Sequence, residues 1–148
     1  MASNDRRLAF SVSRNQIIRV LLRVILAAFY FAAGVTHLKS PQGFILIVPS
    51  FVPWPGEVVL FTGICEMAGA IGLFIPPLRK AAGIALAIYA VAVFPANINH
   101  AVNQIDVGAL PNSMWYHVPR FFLQPLLVWW ALYCADVIDW PWKNKVET

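Results

Sequence analysis

The polar residues in the apolar stretches of this chain are few enough to be taken one at a time, and several recur at helical spacing. His117, Arg120 and Gln124 follow i, i+3, i+7, and Asn97, His100 and Gln104 repeat that interval. Tyr30, Gly34 and His37 form a third stripe, and Gly63, Glu66 and Ala70 a fourth. Side chains three, four and seven apart share a helical face, so four helices can each turn one polar stripe toward a common centre. Glu66 beside a histidine has the groups for acid/base chemistry on a lipophilic substrate. Zinc needs three or four ligands at close range, and haem needs axial ligands held to the iron. His37, His100 and His117 lie on three separate segments with no diagnostic spacing, so they read as hydrogen-bonding histidines, and no metal site is expected. No serine or cysteine lies at their depth to complete a nucleophilic triad.

The elements that must position these residues are apolar. The stretch "VVLFTGICEMAGAIGLFI", Val58 to Ile75, carries a single charge, Glu66. Of the 148 residues 59% are hydrophobic and only 12% charged, against about one quarter charged in soluble domains. Four segments, about 17–38, 58–75, 81–102 and 118–138, have on the order of the 20 residues needed to cross a bilayer core as a helix. Backbone groups in lipid must be satisfied within the segment, which leaves helices as the open-chain solution. The sequence therefore predicts an all-α, single-domain, four-helix transmembrane bundle. The first connection, "KSPQGFILIVPSFVPWPG", contains four prolines that prevent a long helix. Its apolar residues predict a partly helical outer loop, with a short helix or turn over about 41–48 that anchors in the interface or covers an outer cavity.

The net charge of +4 is distributed as a topology signal. Arg6, Arg7, Arg14, Arg19, Arg23, Arg79, Lys80, Lys143 and Lys145 fall on one side, and Lys39 and Arg120 on the other. That asymmetry predicts cytoplasmic N and C termini and excludes a nucleic-acid footprint. The first span reads as an uncleaved anchor, because "FYFAAG" offers no small-x-small cleavage site. Pro76 and Pro77 are expected to end the second helix, and residues 103–117 to form an outer loop. Ala68/Gly72, Gly83/Ala87 and Ala28/Ala32 match the small-xxx-small contact pattern of membrane helices. Cys65 and Cys134 fall about 12 Å apart in depth at ~1.5 Å per residue, too far for a disulfide.

With that topology, His37, Glu66, Asn97, Asn99, His100, Arg120 and Gln124 all fall in the outer half of the bundle. The inner half is expected to contribute almost no polar groups. Glu66 lies about 13 Å in, where an isolated carboxylate costs roughly 2.5 kcal/mol or more. It must be neutral or paired. Arg120 is the leading partner, because guanidinium and carboxylate can bond bidentately; His37 and His100 are the others. Pro95 and Pro125 free the carbonyls of Val91 and Phe121 beside the same stripes.

In order along the chain, "FYFAAGVTHL", "FILIVPSFVPWPG", "TGICEMAGAIGLFIPPLRKAAG", "VFPANINHA" and "RFFLQPLLVWWA" resemble the DoxX-like family of small bacterial membrane proteins. The resemblance spans about residues 29–131. It implies a four-helix bundle in the bacterial inner membrane, with family motifs falling on His37, Glu66, Asn97, Arg120 and Gln124. Such proteins include accessory subunits of thiosulfate:quinone oxidoreduction and of other membrane redox assemblies. The cysteine pairs of a thiol-redox relative are missing here. Two functions follow as expectations. One is a noncatalytic accessory subunit or assembly factor, whose partners are the bilayer, other membrane or redox proteins, or further copies of the chain. The other is a binder of, or enzyme acting on, a lipophilic molecule such as a quinone. No other cofactor is implied. A solute transporter is disfavoured, because no polar route crosses the inner half.

Overall fold

Proline sets two of the helix boundaries, one just before Pro49 and one at Pro55. In the computed structural model, which describes residues 14–108 and 113–140, helix α1 covers Arg14–Lys39 and the short α2 covers Gln42–Ile47. Val48, the residue after α2, is extended at φ −64° and ψ 128°, as the clash with the ring of Pro49 demands. Helix α3 covers Pro55–Gly72 and opens with proline at its first position, where the missing N–H is no loss. Helices α4, Arg79–Val102, and α5, Met114–Cys134, complete the described elements. Pro95 lies inside α4, and Pro119 and Pro125 inside α5. Among the described residues there is no strand.

The observed helices sit close to the expected spans, with three differences. Helix α3 ends at Gly72, before Pro76 and Pro77, because turn bonds such as Phe74 N–H to the Ile71 carbonyl have already replaced the helical ladder. Helix α5 begins at Met114, so His117 belongs to a helix and not to the third loop. Its end at Cys134 is also earlier than expected. Arg6, Arg7, Lys143 and Lys145, which enter the charge asymmetry, lie outside the described residues.

Helix α1 packs most extensively on α3, and α4 on α5. The α1–α3 contact is backbone to backbone. A Cβ built on Gly34 would lie 2.6 Å from the Gly63 carbonyl oxygen, and one on Gly63 would lie 3.0 Å from that of Gly34. This is the small-residue approach expected of membrane helices, but not at every expected pair. Gly83 does meet Ala131 and Ala135 across α4–α5. Ala28, Ala32 and Ala68 face outward.

The bundle is divided along its length. In the half away from α2, Leu26, Leu73, Leu86, Leu127, Ala131 and Cys134 fill the space between helices as one apolar core. Both cysteines are free thiols. The half nearer α2 is hollow. On the outside, large apolar side chains are exposed on all four long helices, among them Leu21, Phe61, Ile88 and Phe122, while Glu66, His100, His117 and Gln124 are buried. Helices α1 and α4 are each long and apolar enough to cross a membrane.

The end opposite α2 carries a charged clasp that the sequence reading missed. Arg19 and Arg23, one turn apart on α1, are 4% and 7% exposed. Asp136 accepts from Arg19 Nη1 at 2.8 Å, from Arg23 Nη2 at 2.9 Å and from Arg79 Nη1 at 3.3 Å. Arg19 Nη2 also reaches Asp139 at 2.5 Å, and its guanidinium lies 4.3 Å from the ring centre of Tyr133. Arg23 Nε donates to the Cys134 carbonyl at 2.7 Å, and Arg79 Nε to the Leu73 carbonyl at 3.1 Å. All four long helices, or the turns that end them, are tied together here. The expectation of an apolar inner half is therefore wrong. Arginines that look like topology signals in the sequence are buried because two aspartates beyond the last helix neutralise them.

Asp136 holds its position through an unusual backbone. Its N–H bonds the Tyr133 carbonyl and that of Val137 bonds the Leu132 carbonyl, the paired bonds of a Schellman helix end. Asp136 takes the left-handed residue of that motif at φ 61°, a place usually given to glycine. A glycine there would remove the carboxylate from three arginines.

Candidate functional site

The hollow half holds a cavity of about 430 Å³. Its walls are mostly apolar, with Phe29, Phe44, Val52, Val59 and Leu127 among the lining residues. Ile47, Val48, Pro49 and Val52 of the proline-rich segment form part of the lining, so this loop supplies one wall of the cavity. Asn99 Nδ2 pins it by donating to the Ile47 carbonyl at 2.9 Å.

One polar wall is built by the α1–α3 glycine contact. His37 lies three residues after Gly34, and Glu66 three residues after Gly63, so the close backbones bring these two side chains together. His37 Nδ1 is 2.9 Å from Glu66 Oε2, with side-chain exposures of 12% and 4%. The Nδ1–H is aligned with the Ala33 carbonyl, also at 2.9 Å. The contact with Glu66 is therefore electrostatic, and Oε2 accepts no aligned hydrogen bond among the described residues. The His37 ring stacks on Phe44 of α2, with centroids 3.9 Å apart. Tyr89 interacts with both Glu66 and Thr62 from the α4 side.

The opposite wall is a directional hydrogen-bond chain between α4 and α5. Arg120 Nη2 donates to Asn97 Oδ1 at 2.5 Å. Asn97 Nδ2 donates to Gln124 Oε1 at 3.1 Å, and Gln124 Nε2 donates to the Ala90 carbonyl. Each amide gives and receives once, which fixes its orientation. Arg120 Nη1 is 3.0 Å from His100 Nδ1. Because Arg120 can only donate, Nδ1 must accept, and the His100 proton resides on Nε2.

Five of the seven predicted site residues, His37, Glu66, Asn97, Arg120 and Gln124, line this cavity. His100 lies behind Arg120, fully buried and edge-on to His117 with centroids 4.7 Å apart. Asn99 turns away to the loop. The partner of Glu66 is His37 and not Arg120, which forms no ion pair with a carboxylate among the described residues. The α1–α3 seam decides this, since it leaves Glu66 against α1 while Arg120 is taken up by α4. Gln124 bonds the carbonyl of Ala90 and not the neighbouring one freed by Pro95. Tyr89 and Thr62 were not identified from sequence. Tyr89, Val93, Asn97 and His100 continue one stripe at i, i+4, i+8, i+11, which was the available signal. Among the described residues no three His, Cys, Asp or Glu side chains converge as metal ligands.

Fold and site together define an all-helical bundle with a largely apolar cavity at one end, into which a few polar side chains are set. The chain belongs to the family described as domain of unknown function DUF8561, whose model matches residues 26–135. It is also similar to the methylamine utilization protein MauE of Paracoccus denitrificans, at 30% identity over 127 residues, which cover 81% of this chain and 68% of that protein. No solved structure matches.

Proposed function

We propose that this chain is a multi-pass membrane protein whose cavity holds a lipophilic small molecule by a polar head. The observation that carries this is the cavity itself. Its 430 Å³ falls within the roughly 300–1,000 Å³ of small-molecule sites, which are likewise apolar with a few placed polar groups. Glu66, Tyr89 and Thr62 place a few polar groups in an otherwise apolar lining, the pattern that orients a ligand's polar head. A quinone is one molecule that joins a polar head to an apolar body in this way. All four long helices expose large apolar side chains and bury polar ones, as a lipid-facing bundle requires. Trp54 and Trp115 at the α2 end and Trp140 at the other are 74%, 92% and 70% exposed, the positions of interfacial aromatic belts. The charge asymmetry supports a bacterial inner-membrane location with both termini in the cytoplasm.

A second observation favours an accessory role alongside binding. The relative's name places it in methylamine utilization, and a component of such a process works with other proteins. In this reading the chain is an accessory subunit or assembly factor of a membrane complex, a redox assembly being one such complex. Its likeness to the DoxX-like family belongs to the same reading, because "FYFAAGVTHL" and "RFFLQP" supply opposite cavity walls.

Native mass spectrometry of the protein extracted gently from its own membrane tests both parts. A small lipophilic adduct supports the cavity reading, and a copurifying protein supports the accessory role. A protein that arrives empty and takes up nothing from added membrane lipid extract refutes the cavity reading.

A further inference from the structure

The cavity's one guanidinium is not paired with a carboxylate among the described residues. Arg120 is held by Asn97 Oδ1 and His100 Nδ1, and its guanidinium lies 5.0 Å from the ring centre of Tyr116. Each of these is electrically neutral, since His100 must accept at Nδ1. Glu66 is the one acidic residue in the cavity lining, and it is committed to His37 at 2.9 Å. No carboxylate lies within ion-pairing distance of Arg120 among the described residues. The contrast with the opposite end of the bundle is direct, because there Arg19, Arg23 and Arg79 all contact Asp136.

A cation removed from water is costly unless it is paired. Arg120 has five N–H donors, of which the bonds to Asn97 and His100 use two. The remaining donors present the fork geometry that suits a planar oxyanion. Resting on the reading of the cavity as a ligand site, we propose that its occupant is an amphiphilic monoanion. A carboxylate-type head would seat on Arg120, with the hydrocarbon body between Phe29, Val59 and Leu127. The neutral amides beside Arg120 position the guanidinium without cancelling its charge. The ligand supplies the missing counter-charge.

The test is equilibrium binding to the purified chain in non-ionic detergent, at neutral pH, of three probes with matched ten-carbon tails: decanoate, decan-1-ol and a decyl quinone. The native protein is expected to hold decanoate about tenfold or more tighter than the alcohol, the scale of a charge-assisted hydrogen bond. Arg120→Gln should abolish that preference, and Arg120→Lys should retain part of it. Equal binding of acid and alcohol by the native protein overturns the inference, and needs no variant to fold. A preference that survives in a folded Arg120→Gln protein overturns it too, by placing the head elsewhere. Quinone binding without any preference for the acid would sink the anionic head while leaving the cavity reading intact. Failure of all three probes to bind would sink both.

Discussion

Replacing Asp136 sets two effects of opposite sign against each other. Its backbone is left-handed at φ 61°, a conformation that costs an L-residue roughly 1–2 kcal/mol and glycine almost nothing. On backbone grounds alone, Asp136→Gly should stabilise the chain by about 1 kcal/mol. The same change removes the carboxylate shared by Arg19, Arg23 and Arg79. Breaking a buried ion pair by deleting one partner costs roughly 3–5 kcal/mol. Asp136 is 37% exposed on its side chain and Asp139 still faces Arg19, so a reduced loss of roughly 2–3 kcal/mol is expected. The net loss for Asp136→Gly is then about 1–2 kcal/mol. Asp136→Asn tolerates the left-handed backbone but gains little from it, so it should lose the full 2–3 kcal/mol. The expected order of thermal stability in detergent is native, then the glycine variant, then the asparagine variant. At roughly 2–4 °C per kcal/mol for a chain of this size, a melting curve resolves the steps. A glycine variant that melts at or above the native protein would show that backbone strain dominates and that the clasp contributes little.

Two further outcomes follow from the hollow half. A double-mutant cycle of Glu66→Gln with His37→Gln, read by melting temperature, should show a coupling above about 0.5 kcal/mol, while Glu66→Gln with Arg120→Gln should be additive within that margin; the reverse pattern would make Arg120 the counter-charge. Gly34→Ala should cost about 1–3 kcal/mol by forcing α1 from α3, while outward-facing Ala32→Leu should leave the melting temperature unchanged; equal tolerance of both would mean the seam is not tight.

The helices were legible because their signals are local and redundant. Long apolar runs mark the spans, and Pro49 and Pro55 mark boundaries that hold at Val48 and at the start of α3. The cavity residues were legible because a polar group on an apolar helix must face inward, and helical spacing then aligns His37, Glu66, Asn97, Arg120 and Gln124. Pairing was not legible. Depth places Glu66 near both His37 and Arg120, but the rotation of α3 against α1 depends on whether Gly34 and Gly63 oppose each other, which no single segment encodes. The clasp was missed for a related reason. Arg19 and Arg23 near the start of a span satisfy the positive-inside rule whether or not they are buried. Only the fold brings Asp136, more than a hundred residues later, against them.

The clasp and the cavity occupy opposite ends of one bundle, and that placement has a mechanical consequence. Four rods bound together at one end form a lever: a small rotation at the bound end becomes the largest displacement at the other. Here the bound end is the cluster around Asp136, and the far end is the cavity under the proline-rich loop. If the proposed ligand enters between helices, the widening would be smallest at those arginines and largest at the cavity, and loosening the clasp would change how far the cavity opens as well as how firmly the bundle holds together.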